Sequence, residues 1–153
     1  MFAAFISTLH LLSLGVGLGA VFSRGLALRS VAAGDAHAVR RVLLADGFWG
    51  VAAGLWVVTG LTRLFGALDK ALDFYLYNGF FWIKMGLFGL VLVLEIVPMM
   101  TFINWRKTLR KGSHPDTRRA PCLLRFNDAE TLFILLIPFA ASAMARGLWL
   151  LEF

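Results

Sequence analysis

The sequence has a single cysteine, Cys122, which excludes an intrachain disulfide and any Cys-x-x-Cys pair for zinc, an iron–sulfur cluster or a redox dithiol. Charge is scarce as well: Asp, Glu, Lys and Arg make up 16% of 153 residues, against 59% hydrophobic residues and a mean hydropathy of +0.78. A soluble domain of this size needs a larger polar skin, so lipid is expected to solvate much of the surface. Soluble enzymes, secreted disulfide scaffolds and disordered regulators are excluded together. No Lys or Arg precedes the first apolar run, and Arg24 is the first basic residue. A cleavable signal peptide is therefore not expected, and the N-terminus should be translocated. A Gly-rich phosphate loop, a nucleophile elbow, carboxylates at catalytic spacing and internal repeats are all missing.

What remains is four apolar stretches of the length a bilayer requires, about 20 residues each. They lie at about 2–24, 46–66, 74–105 and 129–151. The expected fold is all-α, an integral membrane four-helix bundle forming one domain over 1–153. Residues 47–62 are uncharged, and Lys84 and Glu95 divide 74–105 into three uncharged blocks of ten. Asn127 with Glu130 reads as a capping box opening the last helix, which Pro138 should kink. Gly34 and Asp35 read as a stop and an N-cap, so helix one should run to about Ala32 and helix two begin near Ala36.

Orientation follows from the basic residues. Arg24, Arg29, Arg40 and Arg41 separate spans one and two, Lys70 alone separates two and three, and seven Lys or Arg lie from Arg106 to Arg125. The positive-inside rule places both basic connections in the cytoplasm and both termini outside. The Arg106–Arg125 patch, beside a membrane helix, reads as a topology determinant touching anionic lipid headgroups rather than as a nucleic-acid surface. Gly15 with Gly19 and Gly50 with Gly54 have the Gly-x-x-x-Gly spacing that lets membrane helices approach, within the bundle or in an oligomer.

Helical periodicity puts Ala3, His10, Ser13, Gly17 and Arg24 on one stripe of helix one. Lys84, Phe88, Val91 and Glu95 share a face of helix three. Both stripes should face inward. His10 and Lys84 then lie level in the outer half, with Arg63 and Arg146 somewhat shallower, and only rim carboxylates (Asp69, Asp73, Glu152) are near enough to balance them. The inner level contains Arg24, Asp46, Glu95 and Glu130, which can pair among themselves. Excess cations in the outer layer suggest an anionic ligand.

Each candidate has two readings. His10 is an axial haem or metal ligand, or a histidine bonded to a neighbouring helix carbonyl. Lys84 is a second axial ligand, proton carrier or carboxylate clamp, or it snorkels to the interface. Arg63 and Arg146 are ligand clamps or interfacial anchors, and Glu95 is a proton relay or a static partner of Arg24. Near span ends, Trp49, Trp82, Trp105 and Trp149 fit an aromatic belt. His37 and His114 fall in connections, so a bis-histidine cytochrome is not expected.

The phrases Leu9-His10-Leu11-Leu12 leading to Arg24, Leu43-Leu44-Ala45-Asp46 running into Trp49-Gly50, Phe81-Trp82-Ile83-Lys84-Met85, and Leu94-Glu95 before Pro98-Met99 resemble an uncharacterised bacterial family of four-helix membrane proteins. More distantly, a first-helix histidine and the Trp82-x-Lys84 pattern are similar to HemJ-type protoporphyrinogen oxidases. That resemblance implies haem b as cofactor, with His10 and Lys84 as the positions to carry over. Three functions stay open at this stage. They are haem or anionic porphyrin binding with a redox role, a non-catalytic accessory subunit that pairs with itself or another membrane protein, and an anion or proton pathway.

Overall fold

A computed structural model describes residues 1–66, 68, 70 and 72–150. The elements are α1 (Phe2–Ala32), α2 (Ala38–Phe65), a short α3 (Leu72–Leu76), α4 (Gly79–Arg110) and α5 (Ala120–Ala145). The four long helices are all long and apolar enough to cross a membrane. They run up and down, so one end of the bundle holds the start of α1 and the end of α5, and the other holds the two basic connections.

Local chemistry sets the boundaries. Gly34, at φ +101°, ends α1 in a conformation that side chains resist. Asp35 then accepts the His37 amide at 3.0 Å, so it organises the turn and α2 starts two residues later than position 36. The third apolar run does not begin as one helix at 74. Asn78 takes an extended conformation and accepts the Phe80 amide at 2.9 Å, which caps α4 and detaches the single turn of α3.

The capping box expected at Asn127 and Glu130 is not there. Helix α5 starts at Ala120, with Pro121 in its first turn where a missing N–H costs nothing, and both polar residues lie buried in its interior. Its last residue is Ala145, and position 151 of the expected span lies outside the described residues.

Helix α1 packs against α2 and α5, and α4 packs against α5, whereas α2 and α4 barely meet along their backbones. The interior is layered. Tyr75, Phe81 and Met144 lie at the terminal end, Val21, Trp49, Val91 and Ile134 in the middle, and Leu28, Val39, Phe102 and Leu123 at the basic end. Large apolar side chains such as Phe5, Leu12, Phe22, Phe48, Val51, Val93 and Phe139 point outward, as lipid-facing positions do.

Both inward stripes are as expected: His10, Ser13, Gly17 and Arg24 are buried, and so is Val91. The close approaches use other glycines than the paired motifs. A Cβ on Gly17 would sit 3.1 Å from the Trp49 ring, whereas Gly15, Gly19, Gly50 and Gly54 have open space beside them. The motif glycines make no contact within the bundle. Gly17→Leu should therefore overpack the α1–α2 seam and destabilise by about 1–3 kcal/mol. Gly50→Leu should be neutral or slightly stabilising, since helix propensity improves and nothing is displaced. Thermal aggregation midpoints in detergent check this, and the reverse order would refute the packing described.

Candidate functional site

Two polar centres interrupt the apolar interior. Between the basic-end and middle layers, Arg24 is fully enclosed at 0% exposure. Its Nε donates to Asn127 Oδ1 at 2.8 Å, and Nη1 to Glu95 Oε1 at 2.9 Å and Asp46 Oδ1 at 3.2 Å. Nη2 donates to Glu95 Oε2 at 3.1 Å and to Glu130 Oε2. Trp49 Nε1 also donates to Glu95 Oε2, at 3.1 Å, so this tryptophan is a buried network member rather than a belt residue. Arg106 likewise leaves the basic patch: its Nη2 reaches Asp46 Oδ2 at 2.7 Å and the Leu43 carbonyl at 3.0 Å. The pairing expected among Arg24, Asp46, Glu95 and Glu130 is present, with Arg106 added.

The second centre is a cavity of about 410 Å³ between the middle and terminal layers, within the roughly 300–1,000 Å³ range of small-molecule sites. His10 from α1, Trp56 and Arg63 from α2, Lys84 and Phe88 from α4 and Ser142 from α5 line it. It forms where α2 and α4 stand apart. Three of the four expected site residues, His10, Arg63 and Lys84, are thus brought together. Arg146 is not: it lies exposed at the end of α5, off the cavity wall.

His10 Nδ1 lies 2.8 Å from Thr59 Oγ1, so a hydroxyl on the neighbouring helix is one of its partners. Thr59 has one hydroxyl proton, and its Oγ1 is 2.7 Å from the Leu55 carbonyl one turn earlier. With that proton committed, Nδ1–H is the donor. Gly60 makes room for the ring, since a Cβ there would meet His10 Cε1 at 3.3 Å. Trp56 lies against the imidazole at 5.8 Å between centroids, and its edge contact with Phe88 continues the aromatic wall.

Trp56 Nε1 is buried with no hydrogen-bond acceptor among the described residues. Lys84 is half-buried on the opposite wall, and no described carboxylate pairs with it. Of the rim carboxylates, Asp73 is exposed, and Asp69 and Glu152 lie outside the described residues. An imidazole, two cations and a buried donor, set in aromatic and aliphatic walls, suit an anionic ligand with a large apolar body.

Trp56 and Thr59 were not singled out from sequence. The available signal was position: both sit in the uncharged 47–62 stretch, at the depth estimated for His10.

The fold and its two polar centres define a four-helix integral membrane protein. Residues 2–148 match the family described as "Predicted membrane protein (DUF2214)", and the chain belongs to that family. No protein of curated function and no solved structure matches it.

The two centres respond differently to charge removal. Arg24→Gln strands carboxylates that lipid cannot solvate, a loss of about 3–5 kcal/mol. Glu95→Gln should cost less, because Arg24 keeps Asp46 and Glu130. Lys84→Met removes a cation from a cation-rich cavity and should leave ligand-free protein as stable as the wild type or more so. Unfolding in detergent checks the order; Lys84→Met as the most damaging of the three would contradict it.

Proposed function

We propose that this protein holds haem b, or a closely related anionic porphyrin, in the cavity at the terminal end of the bundle and serves a redox role there. The observation that supports the proposal is the His10–Thr59 hydrogen bond at 2.8 Å, which holds the imidazole by Nδ1 at the cavity wall. Metal-ligating histidines are oriented in this way, the other ring N–H donating to a fixed acceptor. The remaining chemistry also suits the group. Trp56, Phe81 and Phe88 offer a flat apolar slot, and Lys84 and Arg63 offer cations for propionates. The distant resemblance to HemJ-type proteins in two short motifs, the first-helix histidine and Trp82-x-Lys84, would carry over the same residues, His10 and Lys84. Bound haem supplies redox-active iron, while this chain binds it, orients it and excludes water.

The orientation that accompanies the proposal puts the cavity in the outer leaflet of a bacterial inner membrane, with both termini outside. The rule that basic connections stay in the cytoplasm supports it. Although Arg106 is drawn into the buried network, Lys107, Arg110, Lys111, Arg118 and Arg119 are exposed and available to anionic lipid heads.

Purified protein should show a Soret band that His10→Ala abolishes or strongly diminishes. Thr59→Val, which removes the hydroxyl acceptor and keeps the shape, should weaken haem affinity about 10–100-fold. A colourless preparation that also leaves added haem unbound would sink the proposal.

One observation favours a second role, that of an accessory subunit pairing with itself or another membrane protein. Gly15, Gly19, Gly50 and Gly54 present their open sides outward, where a neighbouring helix could approach. In that case Gly50→Leu with Gly54→Leu abolishes cross-linked oligomers while the Soret band survives.

A further inference from the structure

We infer that the Arg24 network is a proton-binding site, and that the exchangeable proton resides on Glu130. The inference is independent of what fills the cavity. It begins with a charge count: the network sets three carboxylates, Asp46, Glu95 and Glu130, against two guanidiniums, Arg24 and Arg106. One negative charge is left over in a part of the chain surrounded by apolar layers. A surplus charge at such depth is costly, and a proton removes it.

The hydrogen bonds say where the proton goes. Asp46 Oδ1 and Oδ2 receive Arg24 and Arg106, and Glu95 Oε1 and Oε2 receive Arg24, with Trp49 added at Oε2. Glu130 Oε2 receives Arg24. Glu130 Oε1 is buried with no hydrogen-bond partner among the described residues. Of the six carboxylate oxygens it is the one on which protonation disrupts no existing donor. Glu130 is also 0% exposed, so it gains most from neutrality.

The groups that face the network from each packed helix complete the account. They are Arg24 from α1, Asp46 and Trp49 from α2, Glu95 and Arg106 from α4, and Asn127 from Glu130's own helix. None supplies a further positive charge. A metal ion is a poor substitute for the proton, because it needs several oxygens and all but one are engaged by N–H donors. No metal-holding group of His, Cys, Asp or Glu occurs among the described residues.

Exposure also orders the exchange route. The Glu95 side chain is 17% exposed and Glu130 0%, and both accept from Arg24 Nη2. Glu95 is therefore the carboxylate through which the proton enters and leaves, with the O–H bond on Glu130 Oε1 forming and breaking and Arg24 remaining charged.

Infrared spectroscopy of the full-length protein in detergent at neutral pH tests this. The expected result is a protonated carboxylic C=O band that shifts down in D2O, is missing in Glu130→Gln and moves in frequency in Glu130→Asp. Absence of the band from the wild type overturns the inference. So does a band that persists in Glu130→Gln. Should Glu130→Gln fail to fold, the wild type and Glu130→Asp decide, since an unmoved band in Glu130→Asp assigns the proton elsewhere.

Discussion

The enclosure of the Arg24 guanidinium by groups from every long helix is the interaction on which the rest of the structure depends. Lipid tails are as apolar as leucine, so burial of apolar surface does little to bring membrane helices together. Polar contacts and close packing must do it instead. Arg24 on α1 engages Asp46 on α2, Glu95 on α4, and Asn127 and Glu130 on α5, so one side chain sets the register of four helices. Close backbone approach assists: a Cβ on Gly25 would meet Asn127 Nδ2 at 2.7 Å, and Asn127 in turn donates to the Val21 carbonyl at 3.2 Å. Phe102 covers the guanidinium at 5.6 Å from its ring centroid and helps keep water out.

That fixed point explains the cavity at the other end. Helices α2 and α4 scarcely touch along their backbones and are joined by side chains spanning a gap. Arg106 reaches the Leu43 carbonyl and Asp46, Trp49 reaches Glu95, and Trp56 meets Phe88 edge-on. Toward the termini the gap widens into the space lined by His10, Arg63 and Lys84. The far end is closed by the chain's last described turn. Asn78 donates to the Leu148 carbonyl, the Gly79 amide donates to the Trp149 carbonyl, and Gly79 lacks the Cβ that would strike the Trp149 ring at 2.6 Å.

Much of this was legible in the sequence because bilayer thickness and helical periodicity are strict constraints. Four spans, two inward stripes and the level of His10 with Lys84 follow from spacing alone. The errors came where a short motif competes with tertiary context. Asn127 and Glu130 have capping-box spacing, yet the demand of a buried arginine for acceptors placed them inside a helix that starts at Ala120. The Gly-x-x-x-Gly spacing was equally blind to direction, since the pattern names a flat face without saying what covers it. Arg106 looked like one basic residue among seven, and nothing in its neighbours signals that Asp46, sixty residues earlier, would claim it. His10 was legible as an inward residue, but its donor nitrogen was not, because that depends on a hydroxyl proton already committed to Leu55.

With the proton off Glu130 the two polar centres carry opposite surpluses, and their separation gives that opposition a physical weight. Lys84 and Glu95 lie eleven residues apart on α4, about 16 Å along the helix axis. At an effective dielectric of about 20, one pair of unit charges at that distance attracts by about 1 kcal/mol. Val21, Trp49, Val91 and Ile134 fill the layer between them, and none offers a counter-charge. The positive cavity therefore favours a negative network, and the negative network favours a positive cavity. An anion seated against Lys84 and Arg63 cancels that attraction and makes the surplus charge beside Glu130 harder to hold. Linkage then requires the converse: neutralising the network strengthens anion binding by the same free energy. The layered arrangement of charge thus couples the two ends of the bundle without any movement of the helices between them.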